Sequence, residues 1–336
     1  MISAEAAKTD DSKLTIDNFL SKLENKTVIK DITEGLTSPK KYISCVYLYD
    51  TAGSQLFEKI TTLPEYYPAR TEKKLLNRIS SLICNILRNI DIVELGSGDC
   101  SKISILLKAV APVSLQTLRY IPVDVSPFAV ESSSLILSST FPEISIHGII
   151  ADFLKQLHLI PNKRQRFFCF LGSTIGNLSK TNAAEFLKNL RQNMSDGDTL
   201  LLGADMVKSE DLLHKAYNDS DGVTAQFNLN ILKVINNIAG TDFQPELFEH
   251  EAFFNDDFSR VEMQLKAKED MEVNSPLIDD SIFIKKGETI HTENSHKFTP
   301  NDLEELASAA NLQIQKTFTD ENQWYSLVLL QKNKES

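Results

Sequence analysis

The run Ile92-Val93-Glu94-Leu95-Gly96-Ser97-Gly98 decides how this chain folds. A short apolar segment that ends in two glycines around one serine is the pattern of a buried strand opening into a tight turn. Ile103, Leu106, Leu107 and Val110 then recur at helical spacing, so the stretch reads as strand, glycine turn and helix. Just upstream, Leu75, Leu76, Ile79, Leu82, Ile83 and Leu87 lay one apolar stripe along a helix predicted over residues 72–88.

The alternation continues on the carboxyl side. Strands are predicted over residues 120–125, 144–151, 167–172 and 199–207, with helical stretches such as 129–138 and 183–194 between them. Strands alternating with helices build a parallel sheet covered on both faces, and right-handed crossovers bring the carboxyl ends of the strands to one edge. After Val207 the rhythm breaks into a helical and mixed stretch with strand-like segments near Phe253 and over 260–265. It resumes with a helix over 299–310, for which Asn301 after Pro300 is the expected cap, and with closing strands over 312–318 and 325–331. Those two are close enough in sequence to pair antiparallel. The expected fold is α/β: a Rossmann-type class I methyltransferase sheet of seven strands, the last pair antiparallel, with an inserted α+β substrate-binding lobe. Residues 71–206 and 297–336 are assigned to the sheet domain, and residues 1–70 and 207–296 to the lobe.

Length agrees with two lobes, since 336 residues exceed one ordinary small core. With 42% hydrophobic and 24% charged residues the chain can bury a sizeable interior. Its 46 acidic and 35 basic residues give a net charge of −11, which disfavours nucleic acid and anionic membranes as partners. Cys45, Cys84, Cys100 and Cys169 form neither a CxxC pair nor a zinc spacing and read as reduced thiols, which points to the cytoplasm. The amino terminus lacks a basic stretch followed by an apolar one, and no apolar run reaches the roughly 18 residues of a membrane span.

Several strand ends carry residues suited to chemistry. The turn from Glu94 through Gly96 to Gly98 lets the backbone approach a nucleotide-like ligand at the carboxyl edge of the sheet. Ser101-Lys102 stands where G-x-G-x-x-G would have its third glycine, which argues against a dinucleotide pyrophosphate. Asp124 ends the second strand, where a carboxylate can accept from both hydroxyls of a ribose; it could instead cap the next helix, although Ser126 suits that role better. Asp152 and Phe153 end the third, placed either to meet an adenine amino group and ring or to serve as turn and core residues. The fourth strand opens into Gly172-Ser173-Thr174-Ile175-Gly176-Asn177, where the Asn177 amide could bind an acceptor's carboxylate or merely shape a turn. His291 and His296 lack a third ligand at a suitable spacing, so no metal is expected.

Further blocks carry a resemblance. They are Tyr47 to Phe57, with Tyr49, Asp50 and Gly53; Leu63-Pro64-Glu65-Tyr66-Tyr67-Pro68-Ala69-Arg70-Thr71-Glu72; Ala216-Tyr217-Asn218-Asp219 with Gly222 to Asn228; Arg260 to Met263; and Ile290 to Lys297 with Glu293 and Ser295. Together with the Glu94 and Gly172 turns, the chain resembles the histidine-specific Nα-methyltransferases, which make trimethylhistidine on the route to ergothioneine. Asp99, Cys100 and Ile103 depart from that family's usual pattern. The resemblance implies S-adenosyl-L-methionine as methyl donor, held by Glu94, Gly96, Gly98, Lys102, Asp124, Asp152, Phe153 and Gly172. It implies Asn177 and Tyr217 at the acceptor's carboxylate, Tyr49 as the catalytic group near its amine, and Tyr66, Glu293 and Ser295 at the imidazole, with Phe57 and Met263 lining the pocket. The implied activity is methylation of the α-amine of L-histidine by a monomer acting on a small-molecule amino acid. A related N-methyltransferase for a tryptophan derivative, a non-catalytic binding module and a nicotinamide-dependent oxidoreductase are the alternatives. Glu293 with Ser295 disfavours the first, since a carboxylate and a hydroxyl match both nitrogens of an imidazole.

Overall fold

The computed structural model describes residues 13–20, 25–278 and 281–333. Strand β1 (Leu14–Asn18) is followed by helices α1 (Asn25–Thr37), α2 (Thr51–Thr62) and α3 (Tyr67–Ile83). An alternating stretch comes next: β2 (Asp91–Leu95), α4 (Ser101–Lys108), α5 (Pro112–Leu115), β3 (Arg119–Asp124), α6 (Pro127–Thr140), β4 (Ser145–Ile150), β5 (Arg166–Phe170), α7 (Lys180–Asn193) and β6 (Thr199–Asp205). Helices α8 (Glu210–Tyr217) and α9 (Val223–Ala239) lead into strands β7 (Phe248–Asn255), β8 (Arg260–Ala267), β9 (Met271–Val273), β10 (Ile282–Ile284) and β11 (Thr289–His296). The last elements are α10 (Pro300–Ala309), β12 (Leu312–Thr319) and β13 (Tyr325–Lys332).

The large sheet runs β1-β4-β3-β2-β5-β6-β13-β12, with β13 antiparallel to β6 and β12 and the other pairs parallel. All seven expected strands are present. The eighth, β1, corrects the reading of residues 1–70 as wholly lobe: Leu14 to Asn18 pair with Ile146 to Ile150 at the sheet edge. Its sequence, Leu-Thr-Ile-Asp-Asn, leaves four of five residues exposed, so hydrophobic periodicity could not reveal it.

Every residue of β2 is buried, because strands flank it on both sides and helices cover both faces. Val93, Ile121 and Phe168 pack on one face with Phe186, Leu187 and Leu303 from α7 and α10. Ile92, Tyr120 and Phe167 pack on the other with Leu75, Ile79, Leu106 and Leu107 from α3 and α4. Strand order reverses at β2, with β3 and β4 to one side and β5 and β6 to the other, which opens a crevice at the carboxyl ends.

Two helix boundaries differ from expectation. Helix α3 starts at Tyr67 rather than Glu72, because Pro68 in its first turn has the fixed φ and missing N–H that suit a helix start. Glu72 is thereby mid-helix and buried. Helix α10 is capped by Thr299, not Asn301: the Thr299 hydroxyl accepts from the Asp302 N–H while the Asp302 carboxylate accepts from Thr299, and Pro300 fills the first turn.

The inserted segment builds its own core. Phe227, Ile231 and Ile235 of α9 pack with Leu48, Ile60, Phe248 and Leu265. Strand β8 alternates buried and half-buried residues between β7 and β11. Register shifts between His291 and Glu293, and this irregularity lets Thr292, Glu293 and Ser295 all be buried on one short strand.

Candidate active site

A cavity of about 430 Å³ lies between the carboxyl edge of the large sheet and the inserted lobe, within the usual range for small-molecule sites. Every site residue expected from the sequence lines this one cavity. Its floor comes from the turns after β2, β3, β4 and β5, and its roof from residues 44–66, α8, α9, β8 and β11.

On the floor, Gly96 and Gly98 have φ of +74° and +50°, a conformation that L side chains rarely adopt. A Cβ at Gly98 would meet nothing within 4 Å, so the backbone there faces open space. The Asp124 carboxylate accepts from the Ser126 N–H at 2.9 Å, with the backbone N–H groups of Gly98, Val125 and Ser97 beside it. Burial raises its pKa, and those bonds only partly offset the rise. Asp152 accepts from the Leu154 N–H at 3.0 Å, and Phe153 stands edge-on to Phe170 and Phe186. Glu94 accepts from the Tyr120 hydroxyl at 2.5 Å, and burial pushes its carboxyl up to about 8.

Lys102 turns toward Glu72, 2.9 Å away, and Glu72 also takes the Gly172 N–H and the Tyr325 hydroxyl. Burial pulls the Lys102 pKa down, but the Glu72, Glu94 and Asp99 carboxylates together raise it above the ordinary value. Among the described residues the buried Ser97 hydroxyl finds no partner. An open glycine cradle, an unpaired hydroxyl, two carboxylates at adjacent strand ends and an aromatic ring beside them fit a nucleoside-bearing methyl donor.

The roof is aromatic. Tyr49 meets Phe57 and Phe227 edge-on with ring centroids 5.7 Å apart, and Tyr66 meets Phe57 at 6.3 Å and Tyr217 at 6.2 Å. Within this wall Glu293 Oε1 accepts from the Tyr49 hydroxyl at 3.3 Å and from Asn177 Nδ2 at 3.0 Å. Burial pushes the Glu293 carboxyl up to about 7, with Tyr49 and Lys297 pulling the other way. Tyr217 donates to Ser295 Oγ at 2.7 Å. Burial raises the pKa of Tyr49, Tyr66 and Tyr217 further, so all three remain neutral hydroxyls.

Sequence reasoning missed several contributors. Asp205 carries the signal that marked Asp124, an acid at a strand's carboxyl end, and its carboxylate holds Lys208, Lys297 and the Tyr67 hydroxyl. Lys297 reads as a surface charge yet is 1% exposed. Phe227 lies in a quoted block but looks like an ordinary helix-core residue. Glu72 closes one of the blocks that carry the resemblance but had no role assigned to it, because its partner Gly172 is a hundred residues away.

A doubly wound sheet with an antiparallel closing pair, and a cradle of glycines and carboxylates at its switch point, defines a class I S-adenosylmethionine-dependent methyltransferase. Residues 28–332 match the family described as histidine-specific methyltransferase, SAM-dependent, and the chain belongs to that family. It is 41% identical over 281 residues to histidine N-alpha-methyltransferase of Mycolicibacterium smegmatis, covering 83% of this chain and 87% of that protein. It is 38% identical over 303 residues to histidine N-alpha-methyltransferase of Mycobacterium tuberculosis, covering 90% and 94%. Ergothioneine biosynthesis protein 1 of Neurospora crassa is 28% identical over a region that spans 96% of this chain and 39% of the fungal protein.

Proposed function

We propose that the protein transfers methyl groups from S-adenosylmethionine to the α-amine of L-histidine and carries the reaction to Nα,Nα,Nα-trimethylhistidine, a precursor suited to ergothioneine biosynthesis. Family membership and the two mycobacterial relatives support the acceptor. The observation that carries the reading is the pair Glu293 and Ser295, buried two residues apart on β11 in an aromatic-walled cavity that continues into the donor cradle.

When bound, the donor supplies an activated methyl group on a sulfonium. Gly96, Gly98 and Gly172 would admit its backbone-hugging parts, Asp124 its ribose hydroxyls, and Asp152 with Phe153 its adenine. Glu94 and Lys102 would bound its amino-acid end. The chain's remaining work is to position a neutral amine and exclude water. Asn177 and Tyr217 would hold the histidine carboxylate, and Tyr66, Glu293 and Ser295 the imidazole, so that every buried polar group of the ligand meets a partner. Tyr49 would take a hydrogen bond from the α-amine, whose proton must leave before each transfer. The faces of Tyr49, Phe57 and Phe227 would stabilise the growing ammonium by cation–π attraction, while Met263 shapes the wall.

The sheet domain, with β1 added, would form the donor half, and residues 25–70 and 207–296 the acceptor half. The reading includes a monomer working in the cytoplasm on a small molecule. All four cysteines are free, and among the described residues no helix is long and apolar enough to cross a membrane. Calorimetric titration of L-histidine, and separately L-tryptophan, with S-adenosylhomocysteine present tests the acceptor; mass spectrometry after turnover counts the methyl groups. Binding of tryptophan but not histidine would overturn the assignment.

A further inference from the structure

We propose that Lys297 recognises the α-carboxylate of the acceptor through the Tyr217 hydroxyl; the proposal rests on reading the cavity as a histidine site. Carboxyl groups line this cavity from Asp124 and Asp152 on the floor to Asp205 and Glu293 under the roof, while the cations among its lining residues are Lys102 and Lys297. An amino acid brings one more carboxylate into that acid-lined space, and a buried carboxylate without a cation is costly. Lys102 lies at the donor end and is paired with Glu72. Lys297, at the acceptor end, has a fully buried side chain whose ammonium donates to Tyr217 Oη at 2.9 Å, Ser295 Oγ at 2.8 Å and Asp205 Oδ2 at 2.9 Å.

The charges around Lys297 do not balance in the empty site. Asp205 Oδ1 also holds Lys208 at 2.5 Å, so one aspartate serves two ammoniums. Burial pushes the Asp205 pKa up, but Lys297, Lys208 and the Tyr67 hydroxyl together hold its carboxyl below the ordinary value. Burial pulls the Lys208 ammonium down to about 8, and Lys297 pulls the same way against the Asp205 and Asp320 carboxylates. Two lysines that oppose each other across one aspartate mark a positive surplus. Glu293 faces the same space, but burial pushes it up to about 7 and it is turned to Tyr49 and Asn177. A ligand carboxylate supplies the missing negative charge, so the site suits a free amino acid rather than the amine, alcohol or amide with the same ring.

Tyr217 is the hydroxyl that passes this charge to the ligand. Its oxygen accepts from Lys297, so its hydrogen must go elsewhere, and in the empty site it goes to Ser295 Oγ at 2.7 Å. A carboxylate is a stronger acceptor than a serine hydroxyl, so on loading the hydrogen turns to the carboxylate while the bond from Lys297 stays. An ammonium behind a hydroxyl strengthens that hydroxyl as a donor. Burial raises the Tyr217 pKa, so the group stays neutral and donates to the carboxylate instead of repelling it. Ser295 keeps its bond from Lys297 and has its own hydrogen for the ring. Lys297 acts through Tyr217 and is a positioning residue.

The test compares L-histidine with L-histidinol, which keeps the amine and the imidazole but carries a hydroxymethyl group in place of the carboxylate. Calorimetric titrations with S-adenosylhomocysteine present give both affinities, and steady-state kinetics give KM and kcat for histidine. The wild type should bind histidine about tenfold or more tighter than histidinol, the difference a charge-assisted bond makes. In Lys297→Met histidine should bind about tenfold weaker and histidinol within about threefold of wild type, with KM for histidine taking the change and kcat within about threefold. In a Tyr217→Phe background the lysine change should add less than about threefold, because its effect passes through the lost hydroxyl. An effect that travelled through Glu293 and the imidazole, or through the fold, would weaken both ligands alike. Affinity for S-adenosylhomocysteine reports folding. If Lys297→Met fails that check, Lys297→Gln, which loses the charge but keeps an N–H donor, takes its place, with an expected loss of about threefold or more for histidine alone. Equal losses for the two ligands, an undiminished effect in the Tyr217→Phe background, or a wild type indifferent to the carboxylate overturns the proposal. A wild type that leaves histidine unmethylated instead brings down the functional reading, and this inference with it.

Discussion

Glu293→Gln should make the ligand-free protein more stable while weakening its grip on histidine. Burial pushes the Glu293 carboxyl from 4.5 up to about 7, so in the empty site the fold favours the neutral form. The sign follows: ionisation costs nothing well below 4.5, the cost grows as pH rises past that value, and it is complete above about 7. Each factor of ten in the ionisation constant is about 1.4 kcal/mol, which makes the full cost about 3 kcal/mol at pH 8.5 and about 1 kcal/mol at pH 5.5. Glutamine keeps an oxygen for Tyr49 and Asn177 but cannot ionise, so it escapes the cost. For 336 residues, about 3 kcal/mol corresponds to a rise in Tm of roughly 4 °C. Thermal melts across that pH range measure the gap, and calorimetry should show histidine binding about 10- to 100-fold weaker as a charge-assisted bond is lost. A variant no more stable than wild type at pH 8.5, or a gap that does not change with pH, would refute the reasoning.

Other perturbations separate the two halves of the site. Asp124→Ala should weaken S-adenosylhomocysteine binding about tenfold or more in a calorimetric titration, since the carboxylate proposed to accept from the ribose hydroxyls is lost. Gly172→Ala should lower both cofactor affinity and Tm, because φ there is +78° and the new Cβ would sit 2.7 Å from Lys102 Nζ, which Glu72 holds in place. Thr299→Ala removes half of the α10 capping box and should cost about 1 kcal/mol in denaturant unfolding, with both ligand affinities unchanged.

The sheet was legible because its strands are buried on both faces and its turns carry glycines and acids at the strand ends. Val93, Phe168 and Leu202 leave a continuous apolar signature, and the Asp124 and Asp152 positions follow once the strands are placed. β1 escaped for the opposite reason: with Ile16 and its neighbours exposed, nothing in it separates a strand from a polar loop. The lobe showed as a break in rhythm after Val207, but its site residues were legible only through resemblance, since they come from residues 44–66, α8, α9, β8 and β11 and share no local spacing. Least visible were the groups that act through other groups. Glu72 reaches Gly172, and Lys297 reaches Asp205 and Tyr217, only across long separations in sequence. A lysine between His296 and Phe298 looks in one dimension like any solvated charge.

The placement of β1 bears on solubility. Without it, Ile146 to Ile150 of β4 would form the rim of the sheet, a row of open N–H and C=O groups beside an apolar strand, which is a template for pairing with another molecule. β1 occupies that rim with a short, largely polar segment that gives a second chain little to grip. A version starting beyond residue 20 would keep every residue of the cavity, yet light scattering should show it associating edge to edge. The five residues least suggestive of structure would then be what keeps the enzyme apart from its own copies.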